Sequence, residues 1–274
     1  MLVQPQSDAL NAGVIQAGLK TQNLGQSLHI VTETPSTNTL GLTLAGSGEP
    51  HGTVILAEHQ TAGKGRLGRT WVSPPHKNIY CSVICRDPRL QPHLSWIPLA
   101  TGLALSKAIE EDQKITPSLK WPNDLLIGNK KLGGILCESM NREKSTCVII
   151  IGFGINVNAD LDDFPQELQE SSTSLSLEKQ ESCNRNRLLI RIFNQLEKWY
   201  DQLALNYLDE VHAAYSAACS TLGMDVRCVL TETKAIHGRA TAIGKEGSLH
   251  VTPLEQDSKK IIEIHSADVI HVRS

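Results

Sequence analysis

Between residues 29 and 154, short apolar runs rich in valine and isoleucine alternate with turn-forming residues, and the runs at 53–57, 79–85 and 147–151 are predicted to be strands. Ser36 or Thr37 supplies a hydroxyl suited to open a helix, and a longer helix is predicted over 99–110, beyond Pro98. Residues 124–127 and 130–138 flank Gly128-Asn129, a two-residue turn signal, and so read as a hairpin. A polar, serine-rich connection follows over 161–183. Leu189, Ile192, Phe193, Leu196, Trp199, Tyr200 and Leu203 then recur at helical spacing, which makes 186–207 an amphipathic helix with its aromatics in a core. Beyond Leu222 the pattern turns to short strands at 226–231, 239–243, 249–252, 261–264 and 269–272, as expected of a small β-barrel. The first 25 or so residues are polar and small, interrupted by Gly13, Gly18 and Gly25, and are expected to form a weakly structured lead-in too short for a helix-turn-helix domain.

Composition narrows the class without naming a chemistry. With 274 residues, 40% hydrophobic, 20% charged and a formal charge of −3, the chain suits one large globular domain, or one with a small satellite, and has no polycationic character for nonspecific nucleic-acid binding. No run of 18 apolar residues is present and the amino terminus lacks the pattern of a signal peptide, so a cytoplasmic location is expected. Seven cysteines without framework spacing read as free thiols in a reducing compartment; Cys81 and Cys85 share one face of a strand, but no second pair completes a zinc site. The ten histidines form no ligand-spaced cluster.

The segment 63–70 (GKGRLGRT) satisfies G-x-G-x-x-G and nearly satisfies the P-loop. Both motifs hand phosphate to a following helix, whereas here Pro74 and Pro75 exclude an immediate long one. What remains is a flexible loop carrying Lys64, Arg66 and Arg69, suited to an anion on a small molecule.

Ser36-Thr37-Asn38, then 57–71 (AEHQTAGKGRLGRTW), then Lys120-Trp121-Pro122-Asn123-Asp124 resemble the catalytic motifs of biotin–protein ligases. Residues 130–136 (KKLGGIL) are similar to that family's K-(L/V)-(A/G)-G-I-L strand, and 152–158 (GFGINVN) to its G-x-G-I-N-x-N segment. The resemblance covers roughly residues 28–274. It implies an α/β (α+β) fold: a mixed-sheet catalytic domain of the lipoate-ligase and class II aminoacyl-tRNA synthetase type over 28–221, an SH3-like β-barrel over 222–274, and a lead-in over 1–27. One departure is Lys64, which stands where the family loop has an arginine and keeps the charge without the bidentate fork.

The same resemblance implies an ATP-dependent ligase that makes biotinyl-5'-adenylate and passes biotin to one lysine of a biotin carboxyl carrier protein, such as that of acetyl-CoA carboxylase. Lys131, Arg66 and Asp124 are the implied catalytic residues, with Lys131 contacting both carboxylate and phosphate. Biotin is implied to meet Ser36, Thr37, Asn38, Gln60, Gly63, Lys64, Gly65, Arg66, Lys131 and Gly134, and ATP or the adenylate to meet Arg69, Trp71, Asn123, Lys131, Gly152, Gly154 and Asn156. Asn123 and Asp124 are the implied ligands of a magnesium ion that enters with ATP. Repressor members of the family carry an added amino-terminal DNA-binding domain; the short lead-in predicts a ligase without DNA as a partner, and leaves homodimer formation open. Because the charge after residue 222 is mixed, with Asp225, Glu246 and Glu263 among the basic residues, a role in docking the carrier or supporting the active site is favoured there over nucleic-acid binding. The rival readings are a lipoate or octanoyl ligase on the same fold and a noncatalytic biotin-binding regulator.

Overall fold

The computed structural model describes residues 9–142, 145–231, 233–254 and 260–272. Seven strands form a mixed sheet: β1 (Leu28–Thr34), β2 (Val54–Gln60), β3 (Ile79–Cys85), β4 (Ser118–Lys120), β5 (Asp124–Ile127), β6 (Lys130–Arg142) and β7 (Ser145–Ile155). Their order is β1-β2-β3-β7-β6-β5-β4, with β1 and β2 parallel and every other neighbouring pair antiparallel. The central strands read as continuous apolar runs because both faces of the sheet are covered. Val54 and Leu56 of β2 and Ile149 and Ile151 of β7 enter the large core, while their neighbours Ile55, Val148 and Ile150 join a smaller one on the opposite face.

The large core lies under α3 (Ile97–Gln113) and α5 (Arg185–Ala204), and the smaller one under α2 (Thr37–Gly46). The predicted helices and the hairpin all appear within a few residues of their expected limits. The lead-in does not: α1 (Ala12–Gly18) forms despite its glycines, Ile15 and Leu24 are buried, and Glu197 of α5 accepts hydrogen bonds from the backbone of Gln22, Asn23 and Leu24. Tertiary docking against α5 supplies what the local propensity lacks. Of this lead-in, residues 1–8 lie outside the described ones. The polar connection holds two 3-10 turns and α4 (Leu175–Lys179), and a further helix, α6 (Leu208–Ala218), follows α5 unpredicted.

Strands β8 (Asp225–Val229), β9 (Ala235–Ile243), β10 (Leu249–Pro253), β11 (Ile262–Ile264) and β12 (Asp268–His271) form a five-stranded antiparallel sheet ordered β11-β10-β9-β8-β12. Among the described residues no pairing of β11 with β12 is present, and the sheet matches the expected run of short antiparallel strands after residue 222. Two indoles fasten it to the larger sheet: Trp96 Nε1 donates to Lys245 O at 2.7 Å and Trp121 Nε1 to Gly247 O at 3.0 Å. All seven cysteines are free, five of them buried. Among the described residues no helix is long and apolar enough to cross a membrane.

Candidate active site

Helix α2 begins where β1 ends, so Ser36, Thr37 and Asn38 sit above the carboxyl end of the parallel pair β1-β2. Ser36 precedes the helix but its hydroxyl makes no capping bond; it is buried and lines a narrow cleft with Thr37, Asn38, Gln60, Lys64, Gly134 and Gly152. The Thr37 amide donates to Gln60 Oε1 at 2.9 Å, and Gln60 Nε2 donates to Ser73 Oγ at 3.1 Å. Asn38 is held from three sides: its Nδ2 donates to Leu136 O and to Glu138 Oε2, and its Oδ1 lies 2.6 Å from Ser82 Oγ. Gly152 is what lets this amide in, since a Cβ there would lie 2.0 Å from Asn38 Oδ1.

The glycine-rich loop is a small hairpin rather than a phosphate-binding strand–helix turn. Trp71 N donates to Gly63 O and Gly65 N to Arg69 O, and the tip is a 3-10 turn in which Leu67 has φ 55°. Its three cations are each engaged. Lys64 Nζ stands 3.8 Å from Glu138 Oε1. Arg66 donates to Asn123 Oδ1 and Ser266 Oγ, both at 2.9 Å, and Arg69 pairs with Asp268. The loop is thereby tied to the segment leading into β12, a tether with no counterpart in the sequence reading.

Trp71 ends the loop with its indole laid on the backbone of Gly154, where a Cβ would fall 2.5 Å from Nε1. That Nε1 is buried and has no hydrogen-bond partner among the described residues. Trp71 lines both the inner cleft, about 40 Å³, and an outer cavity of about 760 Å³. The inner volume holds a few waters, so a bicyclic ligand needs the loop or the indole to shift.

Lys131, one residue into β6, reaches the outer cavity; Lys130 is exposed. The Lys131 backbone is pinned by Ser171 O and Thr173 N, and its Nζ lies 2.7 Å from Asp124 Oδ1 and 5.6 Å from the Trp71 ring. Arg69, Asp124, Lys131 and Trp71 therefore meet around one space. Lys120, quoted above only as part of the motif 120–124, shares it, as do Asp268 and His271, which were not singled out from the sequence. Burial draws the Lys120 ammonium below its ordinary pKa, against the opposing pull of Asp124 and Asp268. Burial alone would raise the Asp268 carboxyl, but the Arg69 hydrogen bond and the charges of Arg69, Lys120 and Arg66 bring it below the usual value.

Two expected ligand contacts are differently disposed. Asn156 is buried and lines the outer cavity, but its Nδ2 donates to Thr173 O at 3.0 Å and its backbone amide to Leu132 O, so its amide group braces the wall. Asn123 Oδ1 receives Arg66 and its Nδ2 donates to Ile135 O. Of the two implied magnesium ligands, Asn123 has its oxygen engaged by Arg66, while Asp124 faces Lys131 in the outer cavity. No cluster of three or more metal-ligating side chains occurs among the described residues.

A mixed sheet flanked by helices thus has a cation-lined cavity at its edge and a second antiparallel sheet beside it. A profile of the biotin/lipoate A/B protein ligase family matches residues 30–156. The chain is 32% identical over 97% of its length to the biotin–[acetyl-CoA-carboxylase] ligase of Mycobacterium tuberculosis, covering 98% of that protein. It is 34% identical over 95% of its length to the bifunctional ligase/repressor BirA of Bacillus subtilis, covering 78% of that one. Among solved structures, the biotin protein ligase of Aquifex aeolicus in complex with biotin and ATP superposes with a TM-score of 0.78 at 27% identity, over 91% of this chain and all of that one. The chain belongs to the biotin/lipoate A/B protein ligase family.

Proposed function

We propose that the chain is a biotin–protein ligase: it condenses biotin with ATP to give biotinyl-5'-adenylate and pyrophosphate, then transfers the biotinyl group to a lysine of a biotin carboxyl carrier protein. The observation that carries this is the convergence of Lys131, Lys120 and Arg69 on one cavity, next to a polar inner cleft with Ser36, Thr37 and Gln60. A neutral cyclic urea suits the inner donors and acceptors, and the cations suit the meeting of carboxylate and phosphate. Lys131 lies at the junction and stabilises the charge that builds on the phosphoryl oxygens. Arg66 and Arg69 bring the loop over the anhydride and limit its hydrolysis. Asp124 is the carboxylate available to a magnesium ion carried in with ATP, whose charge would offset that of the phosphates. Transfer then needs the acceptor amine placed against the adenylate carbonyl, with no covalent enzyme intermediate. The sheet after residue 222 supports the loop through Asp268 and Ser266 and offers a surface for the carrier. A reducing, cytoplasmic setting accords with the free thiols.

The test is incubation with Mg-ATP, a carboxyl carrier domain and either biotin or lipoate. Pyrophosphate release and carrier labelling with biotin are expected. Adenylate formed with lipoate alone would overturn the substrate, and biotin binding without adenylation would make the chain a binder rather than an enzyme.

A further inference from the structure

One wall of the outer cavity comes from the connection after β7. Phe164, Leu168, Ser171 and Ser172 line the cavity from there, on a segment built of two 3-10 turns, Leu161–Asp163 and Gln166–Leu168. Such a segment has no ladder along its length, so its stance depends on how its two ends are fastened. Among the described residues, 164–170 make hydrogen bonds only within 161–171: Phe164 N donates to Leu161 O, Leu168 N to Pro165 O, Gln169 Nε2 to Phe164 O and Ser171 N to Leu168 O. The far end is carried by the backbone of β6. Lys131 N donates to Ser171 O at 2.7 Å and Thr173 N to Lys131 O at 3.0 Å.

The near end is fastened by Lys77. Its carbonyl accepts the Asn158 amide at 2.9 Å, and its ammonium donates to Asp160 Oδ2 at 2.8 Å and to Asp163 Oδ2 at 2.6 Å. The same Asp163 oxygen accepts the Asp160 amide at 2.7 Å, which closes the first turn of the segment around the ammonium. Asp160 is exposed, but the Asp163 side chain is only 20% exposed, so the inner ion pair is partly shielded from solvent and salt. Asp163 is followed directly by Phe164, which is buried and lines the cavity. Lys77 does not itself line the cavity, and so reaches it only through the segment it holds.

We infer that Lys77 is a positioning residue for the nucleotide: its ammonium holds Asp163, and through Asp163 it sets Phe164 and Leu168 as a preformed apolar wall for the base of ATP. This rests on the ligase reading above, which puts the phosphates among the cations of the same cavity. An apolar wall suits a flat heteroaromatic ring, and a wall already in place spares the ligand the cost of ordering it. Without the ammonium the stretch from Asp160 to Leu168 is tied only at Asn158 and Ser171, and each ATP bound must order it anew.

The test is Lys77→Met, which keeps most of the side chain and removes its charge, followed by biotin-dependent pyrophosphate release with ATP and biotin varied in turn. The ATP KM is expected to rise about five- to tenfold, the scale of two partly exposed ion pairs acting together. The biotin KM, and kcat at saturating ATP, are expected to stay within about twofold of wild type, because the wall contributes to binding and not to the chemical step. Lys77→Arg, whose guanidinium can bridge the same two carboxylates, is expected to bring the ATP KM back to within about twofold of wild type. An unaltered ATP KM in Lys77→Met overturns the inference, and so does a rise in both KM values together or a failure of arginine to rescue. Should Lys77→Met fail to fold, Asp163→Asn, which keeps an acceptor for the Asp160 amide but loses the charge, is held to the same split between the two KM values. Hydrogen exchange without substrates reads the clamp alone: the amides of 164–170 should exchange faster in Lys77→Met, and equal rates overturn the inference. A wild-type protein that forms no adenylate from biotin defeats the functional reading instead, a result distinct from all of these.

Discussion

Gly152→Ala isolates the inner cleft with one methyl group. The added Cβ would lie 2.0 Å from Asn38 Oδ1, 2.7 Å from Cγ and 2.9 Å from Nδ2, so the whole amide must leave its place. It then gives up its bonds to Leu136 O and Glu138 and the one received from Ser82. At about 1 kcal/mol net for each of three bonds, the cost to stability is about 3 kcal/mol. For a chain of this length such a loss lowers Tm by roughly 6–12 °C. Asn38 also lines the inner cleft proposed for biotin, so its displacement should raise the biotin KM about tenfold, the loss of about one hydrogen bond. Differential scanning calorimetry and adenylation kinetics read the two effects on one preparation. A variant with wild-type Tm and wild-type biotin KM would refute the packing of Asn38 against Gly152 and its part in recognition.

Lys131→Ala is expected to slow biotin-dependent pyrophosphate release by about 100- to 1000-fold, the usual loss when one group stabilising transition-state charge is removed; a rate within tenfold of wild type would place the essential cation elsewhere. Asp268→Ala frees Arg69 and should raise the ATP KM by no more than about fivefold, the scale of an exposed ion pair. That rise should shrink as salt is added, and a salt-independent effect would point to packing instead. Arg185 is fully buried, and its Nη1 lies 2.6 Å from Glu58 Oε2; Arg185→Met strands that carboxylate and should cost about 3–5 kcal/mol in urea unfolding. His51 has its pKa lowered, chiefly by burial, and its Nδ1 accepts the Arg86 amide at 3.2 Å. Below the ordinary histidine value of 6.5 the unfolded chain binds a proton that the folded one resists, so stability is lost as pH falls from there. His51→Gln should show a smaller drop in urea midpoint between pH 7 and pH 5.5 than wild type; an equal drop would clear His51 of the acid sensitivity.

Much of the framework is legible along the chain because it is local. Continuous runs rich in valine and isoleucine identify β2, β3 and β7, the Gly128-Asn129 turn closes the β5-β6 hairpin, and a stripe of large apolar residues marks α5. The loop motif announces its anion-binding character by residue type, the family resemblance points to Lys131, and the structure brings Arg69 and Lys131 to one cavity. Other features depend on partners far away in sequence. Helix α1 has poor propensity and is ordered against α5, whose Asn186 accepts from the Asn11 amide and whose Glu197 holds the backbone just beyond the helix, some 175 positions on. Asp268 offers no local signal, and only the packing of the second sheet sets it against Arg69. Gly152 and Asn156 stand in a segment that only the family resemblance links to the nucleotide; in the fold the glycine admits Asn38 and the asparagine amide donates to Thr173. The amino-acid sequence alone thus determines which elements form and which ionic chemistry is present, since propensity and charge belong to residues. The partner of an amide and the partner of a cation are properties of distances, and those exist only once β3, β6 and α2 are packed together.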